Sequence, residues 1–348
     1  MGTPRLQFHA APGQPTLTDW GDGSERFLLP HRSPRPAVGP STVATHNPKS
    51  RRTQVSPGGV TTSWSEVRLV ATGGAGPYPW PMAVDPDLVA AAMADASQYM
   101  FDAAPLGWMH REAGVLAGAT GVPVPMLNGI WAESLDPDPV VVTAMLDRLD
   151  ASAVPYCLQL RPGTSTKITD QAVTRGMRKE DAIPLMVLEE FSLIAQAERV
   201  DGLTIRGLEP EEGPAHIAVV ADAFGMPEEL FAQMMTPELL RAEGLCCYVA
   251  EAGGQPVTTG MGLTAGDFVA IFNIATPTQH RGRGYGAAVT ARVVSDGRAA
   301  GAQWAWLQSS PMGYGVYERL GFRTLERWDC WVLEPDARPD RNPSRKPA

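Results

Sequence analysis

The sequence predicts an α/β protein built in two halves, and three observations carry that reading. An apolar run from Phe268 to Ala275 passes through alternating glycines into a pattern with Tyr285, Ala288, Val289 and Val293 on one face, the signature of strand, tight turn and helix. From Gly202 to Leu333 the patterns follow the order β-α-α-β-β-β-α-β-α-β. The stretch before it repeats part of that order, and 348 residues suit about two domains.

In chain order, residues 1–80 read as a disordered leader. Pro, Gly, Ser and Thr recur there without period, and Met1 to Trp64 carries seven Lys or Arg against three Asp or Glu. Met82-Ala83-Val84-Asp85-Pro86-Asp87 reads as a sensible gene start just ahead of a helix cap, and residues 81–200 as a first domain. In residues 201–334, strands are expected at Gly202 to Glu209, Cys246 to Glu251, Pro256 to Leu263, Phe268 to Ala275 and Ala302 to Gln308. Helices are expected over Glu211 to Phe224, Pro227 to Arg241, the stretch after Gly284, and Gly313 to Phe322. Residues 335–348 have a tail-like composition.

The segment Arg281-Gly282-Arg283-Gly284-Tyr285-Gly286-Ala287 is built for an anion. Glycines let the backbone curl close to a ligand, and the first amides of the new helix are unpaired donors at its positive end. Two arginines add forked donors that favour a pyrophosphate. Gly282, Gly284 and Ala287 also satisfy G-x-G-x-x-G/A. A dinucleotide site, however, wants an acid closing the next strand, where this chain has Gln308-Ser309-Ser310. No G-x-x-x-x-G-K-[ST] occurs, which excludes a nucleoside triphosphatase loop.

Arg281, Gly284 and Gly286 match Q/R-x-x-G-x-G/A, and Tyr317-Glu318-Arg319-Leu320-Gly321-Phe322 matches Y-x-x-x-G-F at the expected distance. In both motifs and in element order, Gly202 to Leu333 resembles the GNAT family of GCN5-related N-acyltransferases. The resemblance implies two GNAT-like domains, each a mixed, mostly antiparallel central sheet flanked by helices. It implies acetyl-CoA as cosubstrate, with no metal, and transfer of the acetyl group to a primary amine of a small molecule or peptide by direct attack in a ternary complex. It further implies that the backbone of Ile274, Ala275 and Thr276 pairs with the pantetheine arm. The amides of Arg283 to Ala287 would then hold the pyrophosphate, with Gly282 in the same cofactor-binding turn and Arg281 or Arg283 on the outer phosphates. Tyr317 falls where the family's tyrosine protonates the departing sulfur, and Tyr314, one helical turn earlier, is its understudy. Asn273, interrupting an apolar strand beside the expected thioester, is a candidate for positioning the acceptor or a water. A coenzyme-binding sensor or scaffold without turnover, and transfer of a longer acyl group, are the alternatives.

The first half lacks these motifs yet echoes the second. Leu158-Gln159 with Pro162 parallels Leu307-Gln308 with Pro311, and Gly176 to Glu189 spans 13 positions, as does Gly321 to Glu334. Asn128 then corresponds to Asn273. These matches imply a tandem duplication. The segment corresponding to the glycine loop is Ser134-Leu135-Asp136-Pro137-Asp138-Pro139, whose aspartates and prolines repel a phosphate and remove amide donors. The first copy is expected to hold no coenzyme.

A net charge of −9 argues against nucleic acid or an anionic membrane as main partner and mildly favours a cationic amine. Four cysteines without metal or redox spacing read as buried free thiols of a cytoplasmic protein, and no apolar run approaches a membrane span. The expected assembly is a monomer that is itself a pseudo-dimer, or a homodimer. For the base, His216 and His280 carry no deciding context, and deprotonation through water is the default.

Overall fold

A computed structural model describes residues 84–334 except 105, 192–193 and 195–196. The expected leader and tail lie outside the described residues. The elements run α1 Pro86–Ala103, β1 Trp108–Glu112, β2 Val115–Ala119, β3 Asn128–Ala132, α2 Pro139–Ser152, β4 Tyr156–Leu160, α3 Thr166–Thr174 and β5 Arg178–Leu188 in the first half. The second half continues with β6 Leu203–Gly207, α4 Gly213–Phe224, α5 Glu228–Met234, α6 Pro237–Leu240, β7 Leu245–Ala252, β8 Gln255–Ala265, β9 Phe268–Ala275, α7 Tyr285–Ala299, β10 Trp304–Gln308, α8 Pro311–Arg319 and β11 Arg323–Leu333. The helix expected over Pro227 to Arg241 is broken in two. Pro237 disfavours a helical Thr236, which instead caps α6 by accepting from the Leu239 amide.

The fold is a mixed α/β sheet, mostly antiparallel and flanked by helices. Among the described residues its eleven strands lie in the order β1-β2-β3-β4-β11-β5-β10-β9-β8-β7-β6, and only β3–β4 and β9–β10 pair in parallel. Leaving aside the edge strand β6, which has no counterpart in the first half, that order reads the same from both ends: β1 to β4 answer β7 to β10, and in the middle each half's last strand has crossed over. β5 of the first half pairs with β10 of the second, while β11 pairs with β4.

The registers obey the same symmetry. Leu158 faces Trp331 across β4–β11, and Leu307 faces Met186 across β10–β5. Between the crossed strands, Val187↔Arg323 recurs as Arg178↔Val332, and Met186↔Thr324 as Lys179↔Trp331. Ile183↔Trp328 sits on the local two-fold itself, with Trp328 fully buried. Register shifts at Thr324/Glu326 and Trp328/Cys330 add twist to β11 at this centre.

Alternating side chains feed different cores. On one face Val269, Ile271, Ala305, Leu307 and Met186 pack against Val289, Val293 and Val294 of α7 and Leu320 beside α8. On the other, Phe268, Trp304, Trp306, Leu185 and Val187 pack against Val89, Ala90 and Met93 of α1 and against Ile217 and Val220 of α4. In the first half, Val142, Leu146 and Leu149 of α2 and Ile168 of α3 cover Ile130, Leu158 and Leu160. Helix α1 therefore belongs to the first half in sequence but seals the second half's core.

The registers also correct one correspondence. With Leu158 equivalent to Leu307, Cys157 is equivalent to Trp306, so Gly129, which pairs with Cys157, answers Ala270, which pairs with Trp306. Asn273 then answers Ala132, not Asn128. The buried Asn128 has a different task. Its Oδ1 accepts from Thr120 and Gly121, and its Nδ2 donates to Val122, Val124 and Pro155, which closes the turn before β3.

Candidate acyl-transfer site

Strand β9 ends in a bulge. Ala275 pairs with Thr259 and Phe272 with Met261, so Asn273 and Ile274 together face Gly260 alone. Asn273 has φ 51, the left-handed region that asparagine tolerates better than most residues. Its side chain is half-buried with no hydrogen-bond partner among the described residues, so what the geometry uses is its backbone. Gly260 is required opposite: a Cβ there would lie 2.5 Å from Ile274 Cδ1 and 2.7 Å from Val289 Cγ1. The first half pairs Val115 with Ala132 at the corresponding place without a register shift.

Beyond Trp306↔Ala270 the parallel strands β9 and β10 stop pairing, which opens a gap bordered by the bulge and by Gln308. The glycine turn stands at the bulge end of this gap. Thr258 donates to the Ala275 carbonyl at 2.9 Å and shares its hydroxyl with Thr276 at 2.8 Å, which pins the strand exit. A 3-10 turn at Thr278–His280 follows, then Gly282 with φ 76 and Gly284 with φ 80. Gly284 caps α7 with no side-chain hydrogen bond, and Ala288 is the first amide to find an acceptor, the Gly284 carbonyl at 3.0 Å. By contrast α1, α2, α3 and α8 are capped by Asp85, Asp138, Ser165 and Ser310. At α2, the corresponding helix of the first half, Asp138 accepts from the Val140 amide and Pro139 has none to offer. Helix α7 thus presents free donors to an anion, while α2 carries its own.

The two arginines divide the work. Arg281 donates from Nε to the Thr276 carbonyl at 2.9 Å and from Nη2 to the Ala223 carbonyl at 3.0 Å, so it anchors the turn to β9 and to the end of α4. Arg283 is exposed and has no side-chain partner among the described residues.

Tyr317 lies on the α7 side of the gap, edge-on to Phe322 at 5.9 Å. Burial pushes its phenol up to about 12, so it stays protonated and can donate at neutral pH. Tyr314 is otherwise engaged: its hydroxyl bonds Thr324 Oγ1 at 3.0 Å, and Arg327 stacks on its ring. His216 is fully buried. Its Nδ1 donates to Thr259 Oγ1, which donates in turn to the Tyr248 carbonyl, each at 2.6 Å. Nε2 is left without a partner, and burial lowers the imidazole to about 4. His280 has a buried Nδ1, also unpartnered. Ser309 is tied to β5 through its amide and the Pro184 carbonyl at 2.9 Å.

What surrounds Gln308 is not legible in the sequence. Gln308 Nε2 donates to Gln159 Oε1 at 2.8 Å, although two strands separate β10 from β4. Nearby, the buried Arg161 donates to both oxygens of Glu326, at 3.0 and 2.8 Å, and to Asp87 and the Glu133 carbonyl, while Trp328 Nε1 donates to Glu326. The repeated Leu-Gln pair was visible; that its two copies meet was not.

Residues 243–324 match the family described as Acetyltransferase (GNAT) domain. The chain carries a GNAT domain. The match spans the bulge, the glycine turn and Tyr317, and the chemistry of such a domain is acyl transfer. Among solved structures, a GCN5-related N-acetyltransferase from Kribbella flavida is 21% identical, with a TM-score of 0.53 over 70% of this chain and 95% of that one. A functionally unknown conserved protein from Staphylococcus epidermidis is 13% identical, with a TM-score of 0.50 over 67% and 97%. A tandem GNAT protein from the clavulanic acid biosynthesis pathway is 12% identical, with a TM-score of 0.46 over 72% and 97%. No curated protein matches the chain. Among the described residues no cluster of His, Cys, Asp and Glu could hold a metal ion, and no helix of the GNAT domain or its partner half is long and apolar enough to cross a membrane.

Proposed function

We propose that the protein is an acetyl-CoA-dependent N-acetyltransferase whose second half binds the coenzyme and whose first half does not. The observation that carries this reading is the uncapped α7 turn set beside the Asn273–Ile274 bulge and the β9–β10 gap. Free amides from Gly282 to Ala287 suit a pyrophosphate, and the exposed Arg283 suits an outer phosphate. The extended edge of Ile274, Ala275 and Thr276 suits a pantetheine arm. Asn273, by turning the bulge, aims an amide at the thioester carbonyl oxygen, where negative charge develops.

The amine nitrogen attacks the thioester carbon and forms the C–N bond. The oxyanion collapses, the C–S bond breaks, and the sulfur takes the Tyr317 proton. The amine proton leaves through water, and the phenol is restored from solvent. His216, held neutral beneath β8 by burial, is a poor candidate for the base.

The test is thiol release from acetyl-CoA with spermidine, tyramine, kanamycin and a peptide with a free N-terminus, alongside calorimetry of acetyl-CoA binding. At least one amine should be turned over, and Tyr317→Phe should lower kcat on it by about a hundredfold or more while leaving acetyl-CoA affinity intact. Binding without release from any amine would identify a coenzyme sensor instead. A Tyr317→Phe protein with nearly full kcat removes the proton-donor role.

A further inference from the structure

The Gln159–Gln308 contact joins the two halves at the mouth of the gap. Gln308 follows Trp306 by two positions on β10, so it shares that residue's face, and it stands two positions beyond the last rung shared with β9. The Gln159 amide is oriented from behind: its Nε2 approaches Cys157 Sγ at 3.7 Å, which turns Oε1 toward Gln308. Gln159 is almost fully buried, at 1% exposure. With Gln308 Nε2 committed to that oxygen, Gln308 Oε1 remains, without a donor among the described residues. A carboxamide left to itself presents either its oxygen or its nitrogen by a half-turn; with the nitrogen held by a fixed acceptor, the half-turn is blocked and the oxygen stays free to accept.

We propose that Gln159, a residue of the first half, is a positioning residue for the second half's reaction. It orients Gln308 so that Oε1 accepts a hydrogen bond from the attacking amine. An amine nucleophile needs its N–H directed away from the thioester carbon so that its lone pair faces that carbon, and a carbonyl oxygen at the gap does this without taking the proton. The half that lost the coenzyme turn thereby keeps a part in catalysis through the glutamine that answers Gln308. This rests on the acyl-transfer reading of the site given above.

The test uses the full chain and the amine that the wild type turns over fastest. Gln159→Met removes the oxygen at similar volume. It should raise the amine KM about tenfold, the worth of roughly one hydrogen bond, with acetyl-CoA affinity and melting temperature unchanged. Gln159→Glu keeps an oxygen toward Gln308 and should restore most of the amine KM. In a Gln308→Met background, Gln159→Met should add nothing. An unchanged amine KM in Gln159→Met, or additive effects in the double variant, overturns the proposal. Should Gln159→Met not fold, Gln308→Met decides, because an unchanged amine KM there is equally fatal. A wild type that releases no thiol with any amine overturns the acyl-transfer reading and this inference with it. Activity with an indifferent Gln159 overturns this inference alone.

Discussion

At the residue scale, polar groups at the site are sorted by what burial leaves them to bond. Tyr317 keeps its proton because burial disfavours the phenolate. His216 stays neutral because burial disfavours the imidazolium. The second effect has a consequence for stability. An unfolded histidine titrates near 6.5, but burial lowers His216 in the folded chain to about 4. Above pH 6.5 neither state binds the proton and His216 contributes no pH dependence. As pH falls below 6.5 the unfolded state takes up the proton first, so stability drops. The loss levels off near pH 4 at roughly 3 kcal/mol. Urea unfolding of wild type at pH 7.5, 6.5, 5.5 and 4.5 should show this decline. His216→Asn, which keeps a donor for Thr259, should be less stable at pH 7.5 but flatter across the series; an equally steep decline in the variant refutes the assignment.

At the element scale, the site is a defect in β9 made permanent by its neighbours. One extra residue is accommodated because Asn273 tolerates a positive φ and because Gly260 opposite has no side chain. Gly260→Ala would drive a methyl group into Ile274 and Val289, with overpacking that costs about 1–3 kcal/mol. The expected result is a lower urea midpoint together with weaker acetyl-CoA binding, since Ile274 sits on the edge proposed for the pantetheine arm. Lower stability with wild-type affinity would separate Gly260 from the site. The strands, the glycine turn and α8 were legible in the sequence, because period, glycine spacing and caps are local. The bulge was not: in the sequence Asn273 is a polar break in an apolar run, and only the register with β8 gives its backbone role.

At the scale of the whole molecule, the crossing of β5 and β11 makes the two halves inseparable. Without β5, β10 and β11 lose their shared neighbour, and without β11, β4 and β5 do. The ion cluster around Arg161 ties both halves as well. Breaking such a buried pair by removing one partner costs about 3–5 kcal/mol. Residues 201–334 expressed alone should therefore be insoluble or unfolded. The two pieces produced together from a break within the connection at 190–200 should associate and recover the circular-dichroism spectrum and thiol release of the intact chain. A soluble, cooperatively folded second half would show that the crossed strands are dispensable.

What the chain determines locally it declares locally. The glycine turn, the tyrosine beyond it and the prolines and aspartates of Ser134 to Pro139 are all written within a few residues, because capping, backbone freedom and periodicity act over one or two turns. Which half each last strand joins, where β9 bulges, that Asn128 does not answer Asn273, and that Gln159 meets Gln308 depend on contacts between residues distant in the chain, 149 positions in the case of Gln159 and Gln308. Such contacts are chosen by competition among whole strands for edges and cores. No stretch of sequence contains that competition; only the assembled sheet resolves it.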